Sequence, residues 1–164
     1  MSAIRPRWLP LADEAATVVL GARLAHQLPA QTAPLVLYLH GDLGAGKTTL
    51  ARGILQALGE TGPVRSPTYS LVAEYQPAGQ RVLHLDLYRL NSPDELRTLG
   101  LTDYLPGSRL WLVEWPDRGE GGGLPAPDAS LYLEPVGTAR RARFVAVTPS
   151  GHDWAAAVEA DSGS

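Results

Sequence analysis

The segment at residues 41–48, GDLGAGKT, constrains the fold of this chain most, because it matches the pattern G-x-x-x-x-G-K-[ST] at every defined position. The apolar run at residues 35–39 predicts a buried strand before it, and residues 49–58 predict a helix after it that ends at a glycine. When such a loop connects a strand to a helix, its glycines let backbone N–H groups turn inward around phosphate oxygens, and the helix N-terminus adds partial positive charge. The alternative, a glycine-rich turn that binds nothing, does not explain why Lys47 and Thr48 occupy the last two defined positions of the pattern.

Two side chains of this loop, with two acids further along the chain, predict metal-dependent phosphate chemistry. Lys47 is predicted to reach the β- and γ-phosphates of a nucleotide, and the hydroxyl of Thr48 to ligate Mg²⁺. Asp86 follows the apolar run VLHL and Glu114 the run LWLV, which is where such sites place a further acid. A buried carboxylate is costly without a cation or hydrogen-bond donors, and Mg²⁺ would meet that need. The alternative for each acid is an exposed position just past its strand.

Composition places the chain among globular proteins and excludes several classes of function. Its 164 residues are 45% hydrophobic, which suits one domain over residues 1–164 with flexible ends at 1–8 and 161–164. A formal net charge of −3 argues against a protein that grips nucleic acid mainly through its own charge. Without cysteine there is no disulfide or zinc-thiolate site. No run approaches the ~20 apolar residues of a membrane helix, and no signal-peptide core is present, so we expect a cytoplasmic protein without a membrane partner.

The order of the predicted elements indicates an α/β fold of the P-loop NTPase type. Buried strands followed by alternating ones predict three layers, with a mostly parallel central sheet and antiparallel edge strands. Ligands of such sheets bind at the carboxyl ends of the strands, where Gly41, Asp86 and Glu114 are predicted to lie. Further helices are predicted at residues 13–28, after Ser92 and at 153–160; further strands at 68–75, 82–87, 110–115, 131–133 and 143–148; and a mobile surface loop at 118–127.

Several other positions leave two interpretations open. The hydroxyls within residues 66–69 could face a γ-phosphate or simply begin a strand, and Trp115 could stack on a base or pack in the interior. Arg89 could stabilise phosphate charge or pair with an acid. The basic cluster at residues 140–143 could contact tRNA or an acidic partner, although solvated charge is the usual explanation. The histidines show no metal-ligand spacing, and a packed neutral ring is favoured for His40.

Missing motifs narrow the choice of nucleotide. Guanine-binding proteins of this kind normally carry N-K-x-D, which the sequence lacks, so ATP is favoured over GTP. The L-S-G-G-Q signature of ABC-type ATPases is also missing. Two classes of enzyme remain: an ATPase whose hydrolysis drives a partner assembly, and a small-molecule kinase with the loop as its donor site. A nucleotide-gated binding subunit, in which hydrolysis is incidental, is a third interpretation.

Four blocks, in this order and at this spacing, resemble the TsaE family, also called the YjeE family. They are residues 41–49 (GDLGAGKTT), 66–69 (SPTY), 84–90 (HLDLYRL) and 113–116 (VEWP). The first block is shared by many NTPases, whereas the other three together are specific. The resemblance extends over residues 9–150.

The resemblance implies a function and a set of partners. The family consists of small bacterial ATPases of the pathway that makes threonylcarbamoyladenosine in tRNA. Its members work with TsaB- and TsaD-type proteins, which transfer the threonylcarbamoyl group to the adenosine next to the anticodon of ANN-decoding tRNAs. Their ATP hydrolysis serves turnover of that complex rather than the transfer itself. We therefore expect in-line attack of water on the γ-phosphate of Mg²⁺-bound ATP, slow without partners because the loop has no obvious arginine finger, and contact with tRNA through the complex.

The resemblance also carries roles to residues of this sequence. Asp86 and Glu114 match acids associated with the metal and with hydrolysis, and Trp115 matches a tryptophan near bound nucleotide. The expected catalytic residues are Lys47, Asp86 and Glu114, and the expected metal ligands are Thr48, Asp86 and Glu114. The residues expected to bind nucleotide are three from an N-terminal region that closes over the base, Leu11, Asp13 and Thr17, together with Asp42, Leu43, Gly44, Ala45, Gly46, Lys47, Thr48, Thr49 and Trp115.

Overall fold

The structure is a computed structural model that describes residues 7–67 and 69–161. Of the flexible ends expected from the sequence, residues 1–6 and 162–164 lie outside the described residues. Thr68, within the 66–69 block, lies outside them as well.

The described residues form seven strands, four α-helices and three short 3₁₀ turns. The strands are β1 (Leu9–Leu11), β2 (Leu35–His40), β3 (Val72–Tyr75), β4 (Arg81–Asp86), β5 (Ser108–Glu114), β6 (Ala129–Val136) and β7 (Ala139–Ala146). The α-helices are α1 (Glu14–His26), α2 (Lys47–Leu58), α3 (Pro93–Arg97) and α4 (Pro149–Asp161), and short 3₁₀ turns lie at Pro77–Gly79, Leu101–Tyr104 and Pro116–Gly119.

The strands form a seven-stranded sheet in the order β1-β7-β6-β2-β5-β4-β3. Its central strands β6, β2, β5 and β4 run parallel to one another. The remaining pairs, β1 with β7, β7 with β6 and β3 with β4, are antiparallel. The prediction of a mixed α/β structure with a mostly parallel centre and antiparallel edges is therefore confirmed.

Apolar side chains on the two faces of the sheet form two clusters. On one face, Leu112 belongs to a cluster shared with α1, α2 and α4, and Trp154 of α4 donates its indole N–H to the carbonyl of Leu24 at 3.0 Å. On the other face, the buried Trp111 packs with Leu96 of α3. Because side chains alternate along each strand, one sheet serves both clusters and lies between two covering layers.

Helices α1 and α2 approach each other so closely that their crossing requires glycine. A Cβ on Gly21 would stand 2.7 Å from the carbonyl oxygen of Leu50, and a Cβ on Gly53 would stand 2.6 Å from that of Val18. Helix α1 is capped at its N-terminus by Asp13, whose carboxylate accepts the N–H of Ala16 at 2.9 Å. The close crossing of the two helices fixes the position of α2, which directly follows the glycine-rich loop.

The start of β3 differs from the sequence-based prediction. The strand begins at Val72 rather than at residue 68, because the preceding residues form a turn. Leu71 has a left-handed φ of 68°, and its N–H donates to the carbonyl of Pro67 at 2.9 Å. Tyr69, which falls within the predicted strand, is 87% exposed.

Two further differences concern elements whose partners are distant in sequence. Strand β1 was not predicted, since three residues carry no readable periodicity and the strand forms by pairing with β7. The 118–127 segment is not wholly a surface loop, because Gly119 and Gly122 are buried. A Cβ on Gly119 would stand 2.7 Å from Leu87, and one on Gly122 would stand 2.9 Å from Leu96.

In the described part of the chain, no helix is both long enough and apolar enough to cross a membrane.

Candidate functional site

The parallel strands β2, β5 and β4 end beside a cleft of about 480 Å³. This is the edge of the sheet at which the loop glycine and the two acids were predicted to meet. The loop before α2, the ends of β4 and β5, and the beginning of β7 contribute to its lining. The lining residues are Leu43, Gly44, Gly46, Lys47, Thr48, Thr49, Ser66, Asp86, Tyr88, Arg89, Glu114, Trp115 and Arg140.

Left-handed glycines give the loop between β2 and α2 its shape. Gly44 has a φ of 79° and Gly46 a φ of 105°, backbone angles that residues with a Cβ rarely adopt. Gly46 leads directly into α2, which has no side-chain cap at its N-terminus. The first amides of a helix have no partner within the helix, so they remain available to an anion. The loop therefore presents backbone donors and the positive end of α2 to the cleft.

Lys47 is buried at the centre of this arrangement, with a relative exposure of 5%. Its ammonium donates to the carbonyl oxygen of Gly41 at 2.6 Å and lies 3.6 Å from the centroid of the Trp115 ring. Burial lowers the pKa of Lys47 below its ordinary value, and the charges of Glu114, Asp86 and Asp42 oppose that shift. The lysine is thus held by a carbonyl and an aromatic face, both of which are weaker partners for a cation than a phosphate group.

Trp115 follows β5 in a backbone conformation that is unusual for a large residue. Its φ of 56° lies in the left-handed region, which costs energy for any residue with a Cβ. The ring is tilted against Tyr88 with centroids 5.1 Å apart, and the Arg118 guanidinium lies 5.5 Å from it. The conformation turns the indole toward Lys47 and the cleft instead of continuing the strand. The structure therefore favours a residue that lines the cleft over one that packs in the interior.

Asp86 ends β4 and is held by two donors from outside that strand. One carboxylate oxygen accepts the Ser66 hydroxyl, and the other accepts the N–H of Tyr88 at 3.0 Å. The side chain is 7% exposed, so the acid does not lie free in solvent past its strand. The contact also places Ser66, the first residue of the 66–69 block, at the cleft.

Glu114 ends β5 directly opposite Asp86, because the two residues are register partners in the parallel β4–β5 pair. Its carboxylate accepts the Thr48 hydroxyl, with Oγ1 at 3.3 Å and 3.4 Å from the two oxygens. One of these oxygens, Oε2, also lies 2.6 Å from Nε2 of His84. Thr48, Glu114 and His84 are thereby connected from the first turn of α2 into the core.

The donor chemistry of the cleft fits Mg²⁺ better than a transition metal. Two carboxylates and a hydroxyl supply oxygen atoms alone, which is the ligand type that Mg²⁺ prefers. The described residues contain no group of three or more His, Cys, Asp and Glu side chains placed to hold a metal. Mg²⁺ commonly binds through one or two carboxylates together with phosphate oxygens and water, so two acids are enough for it.

The structure brings most of the predicted site residues together, and some lie apart from the cleft lining. Ala45 is buried behind the loop, and Asp42 borders a smaller hollow beside Lys47. Within the described ranges, Leu11, Asp13 and Thr17 do not line the cleft. Leu11 pairs with the start of β7, and the other two belong to the N-terminal cap of α1. Their predicted contact with a base stays a prediction.

Four cleft or near-cleft residues were undervalued by sequence reasoning. His84 was passed over for want of metal-ligand spacing, although its position two residues before Asp86 places both on the same face of β4. Tyr88 and Arg89 line the cleft immediately after that acid. Arg140 also lines it from the start of β7, which is joined to the loop-bearing strand β2 through β6.

The basic cluster at residues 140–143 divides between two surroundings. Arg140 faces the cleft, whereas Arg141 forms an ion pair with Glu134 at 2.6 Å and lies over the Trp8 ring at 4.2 Å. Arg143 lies 5.3 Å from the Tyr132 ring. The cluster is therefore not one continuous patch.

The His40 ring is packed, as the sequence favoured. It stacks on Tyr132 at 4.4 Å between centroids, and burial lowers its pKa from the ordinary value.

The fold and the cleft together define a mixed α/β protein in which a glycine-rich loop faces two strand-end acids. The family model described as "Threonylcarbamoyl adenosine biosynthesis protein TsaE" matches residues 11–143. The chain belongs to the TsaE family.

Individual relatives agree with this assignment. The protein named "tRNA threonylcarbamoyladenosine biosynthesis protein TsaE" in Haemophilus influenzae is 46% identical over 117 residues, which cover 71% of this chain and 73% of the relative. The protein of the same name in Streptomyces coelicolor is 42% identical over 146 residues, 84% of this chain and 93% of the relative. The crystal structure of Bacillus subtilis YdiB matches with a TM-score of 0.78 at 27% identity, over 99% of each chain.

Proposed function

We propose that this protein is a Mg²⁺-dependent, P-loop-type ATPase of the cytoplasm that is required for threonylcarbamoyladenosine modification of ANN-decoding tRNAs. The observation that carries the proposal is that Lys47, Thr48, Asp86 and Glu114 all line one cleft at the N-terminus of α2. The name of the relatives, which specifies tRNA threonylcarbamoyladenosine biosynthesis, supports the assignment to that pathway.

The loop and Lys47 are proposed to bind the triphosphate. The amides at the start of α2 donate hydrogen bonds to its oxygens, and the Lys47 ammonium exchanges the Gly41 carbonyl for the β- and γ-phosphates. As negative charge develops in the transition state, these fixed donors stabilise it without having to reorganise. The burial of Lys47 strengthens this effect, because a charge acts more strongly in a poorly hydrated site.

The two acids are proposed to hold the metal and order the water. When bound, Mg²⁺ would supply positive charge at the phosphate oxygens, and Thr48, Asp86 and Glu114 are the residues that would hold it. Asp86 is fixed for this task by Ser66 and by the N–H of Tyr88. Glu114 completes the set of metal ligands or orients the attacking water, since it lies beside Thr48 at the end of the neighbouring strand.

We further propose that hydrolysis serves a complex of TsaB- and TsaD-type proteins, and that tRNA is reached through that complex. The formal net charge of −3 supports an indirect route, because a protein that bound tRNA mainly through its own charge would be basic.

Labelled ATP with the purified chain, the two partner proteins and unmodified tRNA tests the proposal. We expect slow release of free phosphate from the chain alone, faster release with the partners, and modified tRNA only when ATP and Mg²⁺ are present. A phosphorylated small molecule in place of free phosphate would identify a kinase. Modification that continues at full rate with a non-hydrolysable ATP analogue would identify a nucleotide-gated subunit.

Arg140 offers a test of the cleft in which the loop residues themselves are left unchanged. Its Nε lies 3.2 Å from the place a Cβ on Gly46 would occupy, so the guanidinium borders the phosphate loop. We expect Arg140→Ala to weaken ATP binding by about tenfold, as for the loss of one hydrogen bond to a charged group. Arg141→Ala is the matched control, because this neighbour pairs with Glu134 instead. Equal ATP dissociation constants for the two variants, measured by calorimetry, would contradict a role for Arg140 in the site.

A further inference from the structure

His84 is a polar side chain buried in an apolar layer, and the proposed mechanism does not use it. The residue has 0% relative exposure, and Glu114, its partner, has 2%. Nε2 of His84 lies 2.6 Å from Oε2 of Glu114. Nδ1 has no hydrogen-bond partner within the described residues. The contact with Glu114 is therefore what compensates for placing this ring in the core.

The sheet explains how the ring reaches the acid. His84 is the register partner of Leu112, and the next positions on the same face, at the carboxyl ends of the two strands, are Asp86 and Glu114. Side chains two apart on a strand share a face, so His84 lies one step deeper than Asp86 on the face that α2 covers. Glu114 is thus contacted by Thr48 of α2 and, from within the sheet, by His84.

The two carboxylate oxygens of Glu114 are not equivalent. Oε2 accepts from His84 at 2.6 Å and from Thr48 at 3.3 Å. Among the described residues, Oε1 accepts from Thr48 alone, at a longer 3.4 Å. Because a carboxylate accepts but cannot donate, the short contact requires the proton on Nε2. The short bond fixes the rotation of the carboxylate and leaves Oε1 as the less engaged oxygen.

We propose that His84 is a positioning residue, whose Nε2–H holds the Glu114 carboxylate in the rotation that directs Oε1 to the metal or the attacking water. The inference rests on the proposed function, because it gives Glu114 a task that needs a fixed orientation. Residues that hydrogen-bond a ligating or catalytic group from behind typically change metal affinity or activity by about 10–100-fold when replaced.

Two polar replacements separate the hydrogen bond from the shape of the ring. His84→Gln carries an amide N–H about as far along the side chain as Nε2, whereas His84→Asn is too short to place a donor there. Val82→Ala is the control for core damage, since Val82 is fully buried on the same face of β4 and makes no polar side-chain contact. His84→Leu is a second variant without a donor, for use if His84→Asn does not fold.

Single-turnover ATP hydrolysis, ATP binding in EDTA and Mn²⁺ binding to the ATP-loaded chain are measured for each variant. We expect His84→Asn or His84→Leu to lower the hydrolysis rate by about 10–100-fold, and to weaken Mn²⁺ binding if Oε1 ligates the metal, with ATP binding in EDTA unchanged. His84→Gln and Val82→Ala should stay within a few-fold of the wild type. Equal rates for the Gln and Asn variants would overturn the inference. A wild-type chain that neither binds nor hydrolyses ATP would instead overturn the proposed function.

Discussion

Lys47→Met should lower ATP affinity by about 100-fold or more and reduce hydrolysis below detection, because it removes the buried cation that faces the cleft. Methionine has nearly the same length and no charge, so the cavity next to Trp115 stays filled. Nucleotide-dependent tRNA modification should be lost with hydrolysis. Calorimetric titration with ATP and a phosphate-release assay measure the two effects separately.

The stability of the same variant distinguishes lost chemistry from lost folding. Burial lowers the pKa of Lys47 in the folded chain, so the folded state binds that proton less readily than the unfolded state. The charged lysine consequently costs stability at neutral pH, and this cost falls only as the pH rises from the lowered pKa of the folded chain to the ordinary pKa of the unfolded chain. We therefore expect ligand-free Lys47→Met to unfold at the same temperature as the wild type or higher, while losing the stabilisation that ATP gives the wild type.

Arg52→Met is the matched control for Lys47→Met. Arg52 is a cation on the same helix, and it forms an ion pair with Glu14 at 2.7 Å, outside the cleft lining. This variant should bind and hydrolyse ATP as the wild type does, with at most a small change in stability, since partly exposed ion pairs contribute little. Retained ATP binding by Lys47→Met would contradict the assignment of the loop to phosphate.

The parts of the site that follow from local sequence pattern were predictable. The loop, the strand before it and the helix after it are encoded by contiguous residues, and the structure places them as the pattern indicates. Asp86 and Glu114 were found because each terminates an apolar run, and parallel neighbours bring their carboxyl ends together. The loop and the two acids were predictable because ligands of parallel sheets bind at the carboxyl ends of the strands.

The parts that depend on pairing between distant segments were not predictable in the same way. β1 exists through its pairing with β7, and the position of Arg140 near the loop depends on the order of the strands across the sheet. Alternation places His84 on a face, but only the register of β4 against β5 shows that Glu114 is its partner. The late start of β3 follows from the left-handed turn at Leu71. A leucine rarely adopts this conformation, so the sequence does not predict the turn.

Asp86→Asn should leave ATP binding in EDTA close to the wild-type value and lower Mg²⁺-dependent hydrolysis by about 100-fold or more, if Asp86 holds the metal as proposed. The replacement is nearly isosteric, so β4 and its register with β5 should persist. What changes is the charge and one acceptor, since the amide nitrogen that replaces one oxygen cannot accept from the Ser66 hydroxyl or from the N–H of Tyr88. The variant therefore separates phosphate binding, which belongs to the loop, from metal binding, which belongs to the strand end.

Asp103→Asn is the control for Asp86→Asn, because Asp103 is an exposed acid in the 3₁₀ turn Leu101–Tyr104, outside the cleft lining. Titration of Mn²⁺ into ATP-saturated protein should show a weaker metal site in Asp86→Asn and an unchanged one in Asp103→Asn. Higher Mg²⁺ should then restore part of the lost hydrolysis, since a weakened site can still be filled by mass action. If Asp86→Asn instead bound Mn²⁺ like the wild type and hydrolysed ATP at the same rate, Glu114 and Thr48 would suffice for the metal and Asp86 would serve only to anchor Ser66.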